Sequence, residues 1–175
     1  MYNTVAAETV REQRFTRWVA DYGESILRMC IVYLKNISDA EDAAQDAFLR
    51  AWKAMEQFEQ RNEASEKTWL MRIAINVCHD YHRSKWFRNT DLSKALEELP
   101  ARYLRVEAKD VTLTLDVMRL REPLKQVILL YYYQNLTLQE VADVLGISIS
   151  GVHRRLRKAE EQLKTSITGG VHDAE

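Results

Sequence analysis

The sequence is poor in the residues that turns, disulfides and membrane spans require. Its 175 residues include only 5 Gly, 2 Pro and 2 Cys. So few turn residues argue against a β-sandwich and for a helix-rich chain. No apolar run approaches the roughly 20 residues of a membrane-spanning helix, and residues 1–14 lack the apolar stretch of a secretory signal. We therefore expect an all-α cytoplasmic protein without membrane insertion.

The cysteines and histidines do not form a convincing metal site. Cys30 and Cys78 both lie inside helical apolar patterns, which predicts buried free thiols rather than a disulfide or metal framework. Cys78, His79 and His82 cluster within five residues, but a closed metal site needs about four ligands and no further ligand is evident outside this helix. The common catalytic motifs are also missing from the sequence. We expect no metal, no cofactor and no enzymatic activity.

Charge is distributed unevenly along the chain. The net charge is only −1, yet residues 36–66 carry eight acidic and three basic side chains. Residues 67–88 carry five basic and one acidic, and residues 150–158 carry four basic and no acidic side chains. Recognition depends on the local field rather than on the average. This pattern predicts one surface for a protein partner and two for phosphate backbones.

The first half of the chain shows the apolar spacing of three helices. A first helix is predicted from the three-four spacing of apolar residues between Phe15 and Tyr33, and Ser38 with Glu41 predicts a capping box that starts a second helix. Polar residues 59–67 predict a loop. The helix that follows has a predicted buried stripe of Trp69, Ile73 and Val77 with Leu70, Ala74 and Tyr81 alongside.

The second half shows the layout of a helix-turn-helix. Pro123 suits the first turn of a helix, Thr137 with Glu140 predicts a capping box, and Gly146 suits a turn that needs positive φ. The following helix would lie in the major groove of DNA. Its candidate contacts are Ser148, Ser150, Gly151, His153, Arg154, Arg155, Arg157 and Lys158. The alternative is an ordinary helical hairpin with a solvated basic face.

Two further segments carry candidate binding residues. The second helix has a mixed apolar and anionic face suited to a basic partner helix. Its residues are Asp39, Asp42, Gln45, Asp46, Phe48, Leu49 and Trp52. The alternative is that the apolar members belong to the core. Basic residues interleaved with aromatic ones from Lys67 to Arg88 fit single-stranded DNA, whose bases stack on aromatic rings.

From about Phe15 to Leu163 the chain resembles the extracytoplasmic-function type of bacterial sigma factor, within the sigma-70 superfamily. The segment Ala40–Lys53 resembles region 2.2, which in the family contacts the clamp coiled coil of RNA polymerase. Thr68–Asn76, continuing to Asp80 and Arg83, resembles the segment that opens and reads the −10 element. Gly146–Ala159 is similar to region 4.2 and its −35 recognition helix. Glu66 stands near the place where the family usually has an aromatic residue, and Gly151 stands where it usually has Thr.

The resemblance implies two small helical domains joined by a flexible linker. Region 2 would span residues 10–88, the linker 89–111 and region 4 residues 112–168, with a disordered tail at 169–175. The loop and helix of region 2 would contact the −10 element. The candidates are Arg61, Asn62, Ser65, Lys67, Arg72, Asn76, Asp80 and Arg83. No firm choice among Arg61, Asn62 and Ser65 follows for capture of a flipped base.

The function implied is that of an alternative sigma factor. It would bind core RNA polymerase, recognise the −35 and −10 elements of promoter DNA, melt the −10 element and associate with the nucleoid as part of the holoenzyme. The family often has an anti-sigma partner that masks the same surfaces. The alternative is a dimeric helix-turn-helix regulator that acts without being a polymerase subunit, which predicts palindromic half-sites.

Overall fold

In the computed structural model the described residues are 2–61, 65–84 and 108–169, and every regular element in these ranges is helical. The elements are α1 (Tyr2–Leu34), α2 (Ile37–Arg61), α3 (Glu66–Ser84), α4 (Ala108–Arg119), α5 (Glu122–Ile128), a π-helical turn (Leu129–Tyr133), α6 (Leu138–Leu145) and α7 (Ile149–Gly169). The all-α prediction is confirmed. None of these described helices has the length and apolar character needed to span a bilayer.

Helices α1, α2 and α3 form the first helical group. Four buried alanines of α2, at three-four spacing, let this helix pack closely between its neighbours. They are Ala40, Ala43, Ala47 and Ala51. At one end of the group Trp18 of α1 packs edge-on against Phe58 of α2, and Trp69 of α3 stacks at a tilt on Phe58 with ring centroids 4.7 Å apart. Aromatic packing therefore fixes where α3 begins relative to α1 and α2.

The connection between α1 and α2 differs from the prediction. Lys35 adopts a left-handed conformation with φ 59°, which ends α1, and the Asn36 Oδ1 accepts the N–H of Asp39 at 2.8 Å. Asn36 therefore caps α2, and Ser38 lies inside the first turn as an exposed residue. The predicted Ser38–Glu41 capping box was wrong, because an asparagine two residues earlier already satisfies the free N–H group.

Helix α3 buries a wider face than predicted. Trp69, Ile73 and Tyr81 are only partly buried, while Met71, Ile75 and Cys78, which the predicted stripe omitted, are fully buried. The reason is that α3 is covered on two sides, by α1 and α2 and by α6. The prediction of buried free thiols is confirmed, since Cys30 and Cys78 are both free and buried, with their Sγ atoms 3.4 Å apart.

In the second helical group, the residues predicted to start and end helices do so in the structure. Pro123 lies in the first turn of α5, and the Thr137–Glu140 capping box is formed in both directions at the start of α6. Gly146 ends α6 with φ 64°, a conformation that glycine adopts without steric cost. Helix α7 buries Val152 and Leu156 against the rest of this group. The helix-turn-helix fold is therefore present.

The predicted linker lies mostly outside the described residues. Helix α4 begins at Ala108, inside the predicted linker 89–111, so the last residues of that range are helical. The predicted short helix near residues 92–99 and the tail after Gly169 fall outside the described residues. Gly169 itself, which was predicted to start the tail, is the last residue of α7.

The two helical groups pack against each other. Helix α6 lies on α3, while α4 and the π-helical turn lie against α1. Nothing in the sequence predicted this arrangement, and it decides which candidate residues are accessible.

Candidate protein and nucleic-acid interfaces

The acidic face of α2 is largely accessible. Asp42 and Gln45 are exposed, Asp39 and Asp46 are half-buried, and Leu49 keeps 49% of its surface in water. Asp46 also pairs with Arg50 at 3.0 Å. These carboxylates therefore stand together on one surface of the first helical group.

An open apolar groove runs beside this face, between α1 and α2. Its lining includes Phe15 and Val19 of α1 with Ala44, Phe48, Leu49 and Trp52 of α2. The Phe15 ring packs edge-on against Phe48 and Trp52, with centroids 6.2 and 5.1 Å apart. The aromatic residues are thus both the edge of the core and the floor of the groove. Leu49, at the rim, is not core.

The carboxylates generate a negative field that reaches α3. Partial desolvation raises the pKa of Tyr81, and the charges of Asp46, Asp42 and Asp39 raise it further, against the opposing charge of Arg50. An apolar groove with a negative rim can accept a helix that presents an apolar ridge flanked by basic residues.

The start of α3 is fixed by contacts that were not predicted from the sequence. Ser65 caps α3, since its Oγ accepts the Thr68 N–H at 3.1 Å. Glu66 pairs with Arg14 at 2.8 Å and with Arg17 at 2.7 Å, both from α1. Partial burial opposes ionisation of Glu66, but the hydrogen bond and charge of Arg14 and the charge of Arg17 hold its pKa below the usual value. Glu66 thus anchors the start of α3 to α1.

The other −10 candidates fall into three groups. Lys67 and Arg72 are partly buried and donate to backbone carbonyls of the second helical group. Asn76 and Arg83 are exposed, and the exposed Asp80 accepts from Arg50 at 3.0 Å. The Arg61 side chain and all of Asn62 lie outside the described residues. Only part of the predicted −10 set therefore faces water in this structure.

Helix α7 presents a basic outer face. Six of the eight predicted −35 candidates are exposed. They are Ser148, Ser150, His153, Arg154, Arg157 and Lys158. Arg155 is half-buried, and Gly151 is buried, where a Cβ atom would lie 3.2 Å from Ser148 Oγ. The Gly151 N–H donates to Ser148 Oγ at 3.1 Å, so Gly151 lies on the inner side of the first turn, away from the basic face.

Two family models match the chain in separate segments. The model described as Sigma-70 region 2 matches residues 18–88, and the model described as Sigma-70, region 4 matches residues 118–165. These matches fall on the first and second helical groups. A chain that carries both regions is an RNA polymerase sigma factor, a transcription initiation factor.

The chain is similar over most of its length to curated sigma factors. It is 29% identical to RNA polymerase sigma factor YlaC of Bacillus subtilis, covering 84% of this chain and 88% of that protein. It is 28% identical to ECF RNA polymerase sigma factor SigW of the same organism, covering 89% and 90%. With the two matched regions, these relatives show that the chain belongs to the extracytoplasmic-function family of RNA polymerase sigma factors.

Solved structures share the fold. CnrH, in complex with the cytosolic domain of CnrY, superposes with a TM-score of 0.68 at 24% identity, with 90% of each chain covered. The sigma factor RpoE of Bartonella quintana, in complex with the anti-sigma factor NepR, superposes with a TM-score of 0.72 at 17% identity, covering 89% of this chain and 98% of that one. At these identities the likeness concerns the fold alone.

Proposed function

We propose that the chain directs transcription initiation through three separate surfaces, one for core RNA polymerase and two for promoter DNA. The observation that carries this assignment is the contrast between the two exposed faces. Glu12 and Glu41 line the α1–α2 groove, whereas the outer face of α7 carries Arg154, Arg157 and Lys158. Opposite charges on the two surfaces fit two different partners.

The α1–α2 groove is the proposed docking site for core RNA polymerase. Exposed Leu49 and half-buried Phe48 and Trp52 supply apolar area, and Glu41 and Gln45 supply the polar rim. Interfaces of this kind place a few large apolar side chains at the centre and charged residues at the edge. The carboxylates would steer a basic helix of the polymerase into the groove.

The face of α3 is the proposed reader of the −10 element as a single strand. Lys67, Arg72 and Arg83 would bind the backbone, and Asn76 would reach a base. Unstacking a base costs a few kcal/mol, which capture by one of Arg61, Asn62 and Ser65 would offset.

Helix α7 is the proposed reader of the −35 element in the major groove. Arginines can pair with guanine through two hydrogen bonds, while lysines and serines are suited to phosphate oxygens. Each reader alone would bind weakly. Tight and specific binding follows when the polymerase fixes both on one promoter, because the second contact then becomes intramolecular.

We propose that the chain has no catalytic activity or cofactor of its own, and that it acts in the cytoplasm, joining the nucleoid in the holoenzyme. An anti-sigma partner of the general kind seen with CnrH and RpoE would cover the α1–α2 groove with an amphipathic helix. The groove has the shape and charge for such a helix.

In vitro transcription tests this function. The purified chain is combined with bacterial core RNA polymerase on a library of promoter fragments, with each component also tested alone. We expect discrete transcripts only from the combination, and the start sites then define the −35 and −10 sequences. If the chain alone binds palindromic duplex DNA and core polymerase adds nothing, the dimeric regulator is the better assignment.

Single substitutions on the basic face of α7 should weaken −35 recognition. Arg154→Ala or Arg157→Ala is expected to reduce transcription from a −35-dependent promoter about tenfold, since a good base contact contributes about 1–3 kcal/mol. Both side chains are exposed, so the fold should be unaffected. The measurement is run-off transcription by reconstituted holoenzyme.

The matched control is Glu161→Ala, which alters an exposed residue of the same helix without removing a positive charge. Binding to core polymerase should be equal for all four proteins. If the two arginine variants transcribe as well as Glu161→Ala, then α7 does not read the −35 element through these residues.

A further inference from the structure

Gly23 lies in the interior of α1, at a position where the described part of the chain does not require a glycine. Among the described atoms, a Cβ atom on Gly23 would meet only the Val19 side chain, at 3.9 Å, which is ordinary van der Waals contact. The φ angle of Gly23 is not positive either, unlike that of Gly146. Glycine in a helix interior is markedly less favourable than alanine. The free chain therefore loses stability at Gly23 without gaining a contact.

Gly23 lines the α1–α2 groove, near the end opposite to the aromatic rings. The two helices run antiparallel, since Phe15 in the first half of α1 packs on Trp52 in the second half of α2. Nearer the other end of the groove, α1 contributes Gly23 and α2 contributes Ala44, which is 8% exposed. Aromatic side chains thus fill one end of the groove, and the other end is open down to the backbone of α1.

A third helix could approach α1 most closely at this open end. The axes of packed helices lie about 8–10 Å apart, depending on the side chains at the contact, and a glycine adds no side chain to that distance. Val19 and Leu49 also line the groove and are 43% and 49% exposed. They can hold apolar side chains of the approaching helix on either side of the close contact.

The charges along the groove indicate which helix this is. Glu12 and Glu41 are the charged residues among the described groove lining, and both are acidic. A helix with basic residues along its edges and an apolar ridge between them matches this field. Sigma factors bind core RNA polymerase, so a basic helix of the polymerase is the occupant that fits. A second copy of the groove helices would bring like charges together.

We propose that Gly23 is a specificity-determining residue of the polymerase site. It admits the backbone of one helix of core RNA polymerase into close contact with α1, and a larger residue at this position would hold that helix away. This inference rests on the proposed role of the α1–α2 groove, to which it adds the point of closest approach. The groove then selects its partner by shape at Gly23 as well as by charge at Glu12 and Glu41.

Replacing Gly23 with alanine should have opposite effects on the free chain and on the complex. Alanine fits the free chain and favours the helix, so the melting temperature should rise by about 2–4 °C. The added methyl group would meet the partner helix, so the affinity for core polymerase should fall about tenfold, and about 100-fold for Gly23→Leu. Circular dichroism gives the melting temperature, and fluorescence anisotropy of labelled chain titrated with core polymerase gives the affinity.

Ala20→Gly is the matched control, because it makes the reverse change about one turn earlier in α1. Ala20 is exposed and is not part of the groove lining. This variant should melt about 2–4 °C lower than the wild type and bind core polymerase equally well. The double variant Ala20→Gly/Gly23→Ala should melt near the wild-type temperature and still bind about tenfold more weakly. Helix stability would then be excluded as the cause of the weaker binding.

The Leu49→Asp variant separates this inference from the proposed function on which it rests. If Leu49→Asp weakens polymerase binding and Gly23→Ala does not, the groove remains the polymerase site and the close approach at Gly23 is wrong. If neither substitution alters binding, the proposed role of the groove fails as well. A lower melting temperature for Gly23→Ala would also overturn the inference, because the free chain itself would then need the glycine.

Sedimentation of the free proteins tests the other possible occupant, a second copy of the chain. We expect the wild type and Gly23→Ala to be monomers at the concentrations of the binding experiment. A wild-type dimer that Gly23→Ala dissociates would assign the close contact to a second copy and overturn the assignment to polymerase.

Discussion

Replacing Leu49 with aspartate is expected to weaken binding of the chain to core RNA polymerase by about 30-fold or more. Leu49 is 49% exposed at the rim of the α1–α2 groove, so its side chain is available to a partner. A central apolar contact of this kind is worth about 2 kcal/mol, which corresponds to about 30-fold in the dissociation constant. The new carboxylate would also be desolvated in the interface. Titration of labelled chain with core polymerase, followed by fluorescence anisotropy, measures the effect.

Val10→Asp is the matched control for this substitution. Val10 is 64% exposed in α1 and is not part of the groove lining, so the same change in polarity should leave the affinity unaltered. Both variants should keep the melting temperature of the wild type, because neither side chain is buried. Equal affinities of the Leu49 and Val10 variants for core polymerase would contradict the assignment of the groove.

The sequence predicted helix starts and ends correctly where these depend only on residues within about one turn of the helix. Thr137, Glu140 and Gly146 lie within ten residues, and their roles depend on backbone groups next to them, so the pattern predicted the start and end of α6. The same reasoning failed at Ser38, because Asn36 competes for the same N–H groups and the left-handed Lys35 favours the earlier start. Sequence patterns therefore give candidate capping residues, and the backbone conformation decides which of them caps the helix.

The candidate sites were predictable to the extent that they depend on a single amphipathic helix. The outer face of α7 follows from helical spacing alone, so its basic side chains could be placed in advance. The contact of Arg72 with the Asp143 carbonyl could not, since a backbone acceptor leaves no signal in the sequence. The same holds for Glu66, whose partners Arg14 and Arg17 lie about 50 residues away.

The second large expected effect is a pH dependence of the free energy of unfolding, which arises from a buried lysine at the contact between the two helical groups. Lys125 of α5 is 4% exposed, and its Nζ lies 3.5 Å from the Tyr33 carbonyl and 5.7 Å from the centre of the Tyr33 ring. Burial, with a smaller contribution from the charge of Lys35, lowers the pKa of Lys125 from 10.5 to about 7, and Glu122 only partly opposes this. The folded chain therefore holds this lysine largely neutral above neutral pH.

The free energy of unfolding should consequently rise between pH 7.5 and 9.5. In this window the unfolded chain keeps the Lys125 proton, whereas the folded chain has lost it, so removing protons from solution favours the folded state. Lys125 alone contributes about 1.4 kcal/mol per pH unit, or about 3 kcal/mol over the window. The hydrogen bond with Cys30 and burial raise the pKa of the Cys78 thiol, so above about pH 8.5 only the unfolded chain loses this proton, which offsets part of the gain. Burial and the charge of Arg119 also lower the pKa of Lys35, which acts in the same direction. Urea unfolding followed by circular dichroism at each pH measures the slope.

Lys125→Met should remove most of this pH dependence, because methionine fills a similar volume without a titrating group. Lys53→Met, at an exposed position of α2, is the control and should keep the wild-type slope. Burial also raises the pKa of Tyr33, so its phenol keeps its proton in the folded chain and opposes the gain only above about pH 10. Equal slopes for the wild type and Lys125→Met below pH 8.5 would mean that Lys125 is solvated, and hence that α5 does not pack on α1 in solution.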